Sequence, residues 1–104
     1  MLTPRSVQYT GTGSAVTLAS ICASLGINQA HWIQFAAPST NSSPVLIGGP
    51  EVLAVPGTKG FPLQKGSGMF YPSIGSERFG NLYDFTLIYV YVAMSDVLDL
   101  LFGG

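Results

Sequence analysis

Between Phe85 and Met94 the chain reads FTLIYVYVAM, ten residues in which Thr86 is the one polar side chain other than the tyrosine hydroxyls. The composition is β-branched and aromatic, poor for a helix and good for a strand. It is too short to cross a membrane, which takes about 20 apolar residues as a helix. As a strand it places Ile88, Val90 and Val92 on one face and Leu87, Tyr89, Tyr91 and Ala93 on the other. A strand apolar on both faces must be covered on both. The branched aliphatic face is the natural core face. The tyrosine face then looks outward, where large, stiff, amphipathic rings suit a protein interface, or it forms a second core layer under the other sheet or under a helix.

Elsewhere the alternation comes in shorter pieces. SVQYT (6–10) reads as a strand followed by a GTGS turn, and HWIQFAAP (31–38) as a strand with Ile33 and Phe35 on one side and Trp32 and Gln34 on the other. PVLIGG (44–49) and EVLAV (51–55) read as short strands, and GFPL (60–63) and MFYP (69–72) as brief extended pieces on either side of a QKGSG turn. DVLDLLF (96–102) fits a strand with Leu98, Leu100 and Phe102 on one face and Asp99 on the other, in preference to a helix capped by Ser95. Met94-Ser95-Asp96 is then a tight turn returning it antiparallel against 86–93. Asp84 reads as an Asx turn that starts the long strand.

One helical signature interrupts this pattern. Leu18, Ile21, Cys22 and Leu25 fall at helical spacing, with Thr17 as N-cap and Gly26 as a left-handed stop, which predicts one short helix near residues 17–25, a lid on one end of a sandwich. Thirteen glycines and seven prolines punctuate the rest at the rhythm of an all-β protein. The expectation is a single antiparallel β-sandwich domain over residues 1–104, with residues 1–8, including Pro4 and Arg5, available as an extended arm.

Charge changes the picture. Charged residues make up 9% of the 104 residues, where roughly 25% is usual. They are Arg5, Lys59, Lys65, Arg78, Glu51, Glu77, Asp84, Asp96 and Asp99, spread over a monomer surface of about 5,600 Å² by area scaling. Either the surface is neutral and rich in Ser, Thr, Asn and Gln, or partner subunits cover much of it. A net charge of -1 gives no electrostatic footprint for nucleic acid. The start, MLTPRSVQYT, carries no apolar h-region, so the expectation is a chain made in a cytoplasm without a membrane anchor.

Candidate chemistry is thin. Cys22 alone excludes an internal disulfide and a cysteine-based zinc site, and it reads as packing on the helical stripe. His31 cannot by itself build a metal site, and no Gly-x-Ser-x-Gly occurs for nucleophilic catalysis. Asp96 and Asp99 do not suggest two acids facing across a cleft, and read as solvated or turn-forming. GTGSAV (11–16) has Val16 where a dinucleotide fingerprint needs its third glycine, and KGSG (65–68) lacks the P-loop order, so both are turns. Asn41-Ser42-Ser43 matches a glycosylation sequon, without meaning unless the chain is secreted. The aromatics say more. Tyr89 and Tyr91, the Phe70-Tyr71 pair, Trp32 and, from the arm, Arg5 are the candidate interface residues.

The ordered set Ile47-Gly48, Gly60-Phe61-Pro62-Leu63, Leu82-Tyr83-Asp84 and Ile88-Tyr89-Val90 resembles that of small virion-associated proteins of tailed bacteriophages. The likeness covers roughly residues 31–103. It departs at Ser95-Asp96, where such proteins often have Gly-Asp. The resemblance implies a jelly-roll-like sandwich acting as a capsid decoration or cement protein in the virion. Such a protein binds the outside of the head, bridges neighbouring copies of the major capsid protein, and self-associates as a small symmetric oligomer, a dimer before a trimer. It implies no catalytic residues and no cofactor. Two alternatives are a tail, neck or fibre-tip component, and a carbohydrate-binding module stacking sugars on Trp32 or the tyrosine pair.

Overall fold

The computed structural model describes residues 5–54, 60–71 and 83–103, leaving out the side chains of residues 53, 54, 70 and 71. The alternating stretches form β1 (Arg5–Thr10), β2 (Ala15–Thr17), β3 (Gln29–Ala30), β4 (Trp32–Ala37), β5 (Val45–Gly48), β6 (Phe61–Leu63), β7 (Ser67–Tyr71), β8 (Tyr83–Asp84), β9 (Tyr89–Tyr91) and β10 (Val97–Gly103). The first sheet runs β1-β10-β4-β7, the second β2-β9-β5-β6, and β3 with β8 makes a separate ribbon. All the pairings are antiparallel.

Nesting of the pairs defines the architecture. β1 pairs with β10, β2 with β9, β4 with β7 and β5 with β6, as in one long hairpin closed between β5 and β6. Alternate pairs fall in opposite sheets, and the halves join through β10–β4 and β9–β5. This is the strand order of a jelly roll, so the chain is an all-β sandwich.

Period-two patterning fills the space between the sheets. Ile33, Phe35 and Ala37 of β4, Leu98, Leu100 and Phe102 of β10, Val45 and Ile47 of β5, and Val90 of β9 are buried there. The expected helix appears as α1 (Leu18–Ile21) running into a 3₁₀ turn (Ala23–Leu25). Thr17 caps it by accepting from the Ser20 N–H at 3.2 Å, and Gly26 ends it at φ 70°. It closes one end of the sandwich: the Leu18 N–H donates to Ile88 O and the Ala19 N–H to Phe85 O. Phe85 in turn meets Phe102 edge-to-face at 5.2 Å. Leu25 is exposed, against its predicted place on the buried stripe. The 3₁₀ turn advances 120° per residue instead of 100°, which rotates Leu25 off the Leu18–Cys22 face.

Three further expectations are corrected. The expected strand does form, as β10 over Val97–Gly103, but not against 86–93: β9 lies in the second sheet and β10 in the first. Met94-Ser95-Asp96 is a corner between sheets, because β1 and β4 both take β10 as their ladder partner. EVLAV, expected as a strand, begins as α2 (Glu51–Ala54). Pro50 and Glu51 suit a first helical turn, and the Glu51 carboxylate accepts from the Gly49 N–H at 2.9 Å. Full burial of Val52 is worth roughly 1.5–3 kcal/mol, more than the β-propensity it overrides. Residues 5–8, expected in an extended arm, are rungs of β1, with Arg5 opposite Phe102. Residues 1–4 lie outside the described residues.

At the corner the chain crosses twice between sheets, side by side. The Gly11 N–H donates to Asp96 O at 2.7 Å, and the Ser95 N–H to Gly11 O at 3.2 Å. A Cβ on Gly11 would overlap the carbonyl oxygens of Val92 and Ala93, so only glycine fits. Ser95 itself sits at φ 71°, a left-handed conformation that costs a residue with a Cβ roughly 1–2 kcal/mol. Ser95→Gly relieves that strain and gives back part of it as unfolded-chain entropy. Urea denaturation should show the variant more stable by about 0.5–1 kcal/mol. A destabilised variant would contradict this account of the corner.

Candidate functional site

The outer face of the second sheet is built by side chains that alternation turns away from the core. Tyr91 lies between Ala15 and Leu46, and Tyr89 between Thr17 and Gly48. Pro62 follows beside Leu46. None of these residues is an Asp, Glu, His, Lys or Arg. Leu87 and Met94, 64% and 72% exposed, stand at the two ends of the same segment. Ser43, Pro44, Leu46, Tyr91 and Ala93 line a shallow groove of about 340 Å³.

One end of this face is covered by the chain itself. Val52 is fully buried yet lies outside the main core cluster. It sits 3.2 Å from where a Cβ on Gly48 would stand, and 3.2 Å from one on Gly60. A Gly48 Cβ would also overlap the Glu51 carboxylate. Gly48 and Gly60 therefore make room for α2 over the sheet, and Gly60 also needs its φ of 126°. The tyrosine face is thus divided: α2 plugs the Gly48 end, and the Leu46–Tyr91–Ala93 end stays open.

The open end is positioned by a polar clasp. Asn41, 4% exposed, accepts from the Val97 N–H through Oδ1 and donates from Nδ2 to Val97 O, each at 2.8 Å. Its amide stands in for a strand neighbour. Asp96, 6% exposed, accepts from the Ser42 N–H at 2.8 Å, the Ser43 N–H at 3.0 Å and the Ser42 hydroxyl at 3.0 Å. These bonds pin the loop that carries Ser43 and Pro44 into the groove. In the sequence, Asn41 stands only as part of a sequon and Asp96 as a solvated or turn-forming acid. Their bonds span 53 to 56 residues and leave no local signal.

The six predicted interface residues do not converge. Tyr89 and Tyr91 share the face described above, both half-buried. Trp32 is half-buried on the first sheet, opposite Gly103, and Arg5 is exposed at the start of β1. Phe70 and Tyr71 take backbone positions in β7 opposite Gln34 and Ile33, and their side chains lie outside the description. Sequence reasoning missed Leu46 and Pro44, because a Leu and a Pro in a short strand carry no mark of orientation.

Titratable groups serve structure here. The Cys22 thiol is buried and pushed up to about 11 by desolvation, so it is inert. His31 donates its backbone N–H to Gly103 O at 2.9 Å, and its Nδ1 is buried without a hydrogen-bond partner. Among the described residues no His, Cys, Asp or Glu cluster could hold a metal ion, and no helix is long and apolar enough to cross a membrane. Asp84 forms the expected Asx turn, accepting from the Thr86 hydroxyl and from its N–H at 2.9 Å, but the strand expected to start there begins only at Tyr89. Compared with protein-family models, with curated proteins and with solved structures, the chain matches none.

Asn41→Ala strips Val97 of both partners in a buried site and should cost about 2–3 kcal/mol in urea denaturation. A loss below about 0.5 kcal/mol would show that the clasp does not pin the loop.

Acid should act through three carboxylates. Asp96 is held below its ordinary value first by the Ser42 N–H, against the opposing effect of burial. Glu51 is lowered by the Gly49 N–H, and Asp84 by the Thr86 hydroxyl. Each binds its proton less readily folded than unfolded, so its contribution is complete above the unfolded values, about pH 4, and is lost as pH falls through the folded ones. Thermal melts should be level from neutral pH to about pH 5 and fall below about pH 4. Asp96→Asn should start lower at neutral pH and fall less steeply. An acid limb as steep as the parent's would contradict the assignment.

Proposed function

We propose that this protein is a non-enzymatic structural component of a virion, a decoration or cement protein that docks on the outside of a tailed-phage head and bridges coat subunits. One observation carries the reading: the open part of the second sheet's outer face, from Leu46 and Tyr91 to Ala93 and Pro44, presents aromatic and apolar groups without an ionised side chain. Such a surface suits a protein partner better than a polyanion or a free solvent boundary. The jelly-roll order is one that capsid proteins use, and fold alone does not assign function. The motif order in residues 31–103 adds to it.

The mechanism follows from numbers of copies. A contact of about 1,000 Å² has a gross worth near 25 kcal/mol if wholly apolar, most of which association entropy and polar desolvation remove. Each copy can then bind moderately, while a shell covered by many copies opens only if many contacts break together. Few surface ions keep the desolvation penalty of that contact small.

Co-sedimentation with empty heads of the phage that carries the protein tests this reading. The protein should saturate the heads at a fixed ratio and label the whole surface in electron micrographs. Tyr91→Glu, which sets a carboxylate between Ala15 and Leu46, should weaken binding by a factor of about ten or more while the melting temperature stays within a few degrees. Gln34→Glu, on the other sheet, should bind as the parent does. No binding, or label confined to the tail or one vertex, would overturn the reading.

A further inference from the structure

The free edge of β1 differs from both edges of the second sheet. β2 is three residues long, and β6 carries Pro62, both ordinary ways of blunting an edge. β1 runs six residues, Arg5–Thr10, in unbroken register with β10 and contains neither proline nor lysine. Among the described residues none pairs with its outer side.

The phase of that edge can be read from the corner. The Gly11 N–H donates to Asp96 O, which continues the β1–β10 register by one rung. In an antiparallel ladder hydrogen-bonded and non-bonded pairs alternate. Gly11, Tyr9, Val7 and Arg5 therefore bond inward to β10, while Ser6, Gln8 and Thr10 turn their N–H and C=O groups toward the free edge.

We propose that β1 is a homodimer interface, in which two copies pair their β1 strands antiparallel about a twofold axis at Gln8 and fuse their first sheets into one continuous sheet. The occupant is a second copy because the strand complements itself in this register. The outward-facing groups of Gln8 meet those of the partner's Gln8, and Ser6 meets the partner's Thr10, each pair exchanging two N–H···O bonds. On the core side, half-buried Val7 falls opposite the partner's Tyr9, a β-branched–aromatic pair of the favourable kind. Arg5, the one charge on the strand, falls opposite the partner's Gly11, so no like charges meet. A one-residue slip would set Val7 against Gln8 on opposite faces and is excluded by the pleat. This inference does not depend on the capsid reading, and each can fail without the other.

Sedimentation equilibrium of the full chain from micromolar to millimolar concentration should give a dimer. Gln8→Pro deletes an N–H that the intramolecular ladder does not use, and should raise the dimer dissociation constant by a factor of roughly ten or more. Gln8→Cys supplies a second readout if the proline variant fails to fold. Its Cα lies about 5.5 Å from its twofold mate in the paired register, within disulfide reach. Under mild oxidation it should cross-link to a dimer, while Gln34→Cys, exposed on β4, should not. A parent chain that stays monomeric at every concentration would overturn the proposal. So would a folded Gln8→Pro variant that dimerises like the parent, or Gln8→Cys cross-linking no better than Gln34→Cys.

Discussion

The corner where β9 leaves the second sheet and β10 enters the first is the constraint on which the rest of the molecule depends. There the Asp96 carboxylate and the Asn41 amide tie a loop from the first half of the chain to a turn in the second. Gly11 brings the β1–β2 crossing against the same turn, within van der Waals reach of the Val92 and Ala93 carbonyls. A polar clasp suits this place because a corner has no ladder of its own: backbone groups that lose strand neighbours must find other partners. With the clasp in place the nested pairs close into a roll. Val90 and Val92 then turn inward, and Tyr89 and Tyr91 outward. The same corner sets the phase of β1, and so decides which of its backbone groups face the free edge.

Local pattern made a large part of this legible. β4, β5 and β10 were readable from period-two alternation, because each buries one face and a one-residue shift would bury Gln34 or Asp99 instead. The cap at Thr17 and the stop at Gly26 were readable from turn chemistry alone. The partner of a strand was another matter. Met94-Ser95-Asp96 resembles a hairpin turn locally, and only β1 and β4 competing for β10 make it a corner. EVLA looked extended because Val and Leu favour strands. What decides is the space over Gly48 and Gly60 that Val52 fills.

The candidate site was half legible for the same reason. Tyr89 and Tyr91 follow from the two-faced strand, but Leu46, Pro44 and the α2 plug come from chain distant in sequence. Trp32, an aromatic of equal promise in the sequence, lies on the other sheet. The sparse charge of the chain thus has a location. One sheet face is left aromatic and uncharged at its open end, and the protein's own helical turn covers the other end. A face arranged in this way is one that a second protein can cover without stripping water from ions.

Hydroxyl-radical footprinting of the protein free and bound to phage heads tests the central claim most directly, because it reads each aromatic side chain separately. Modification of Tyr91, at the open end of the face, should drop severalfold on the heads while that of Trp32 on the first sheet is unchanged. Equal modification of Tyr91 in the two states, or protection of Trp32 in its place, would contradict the account.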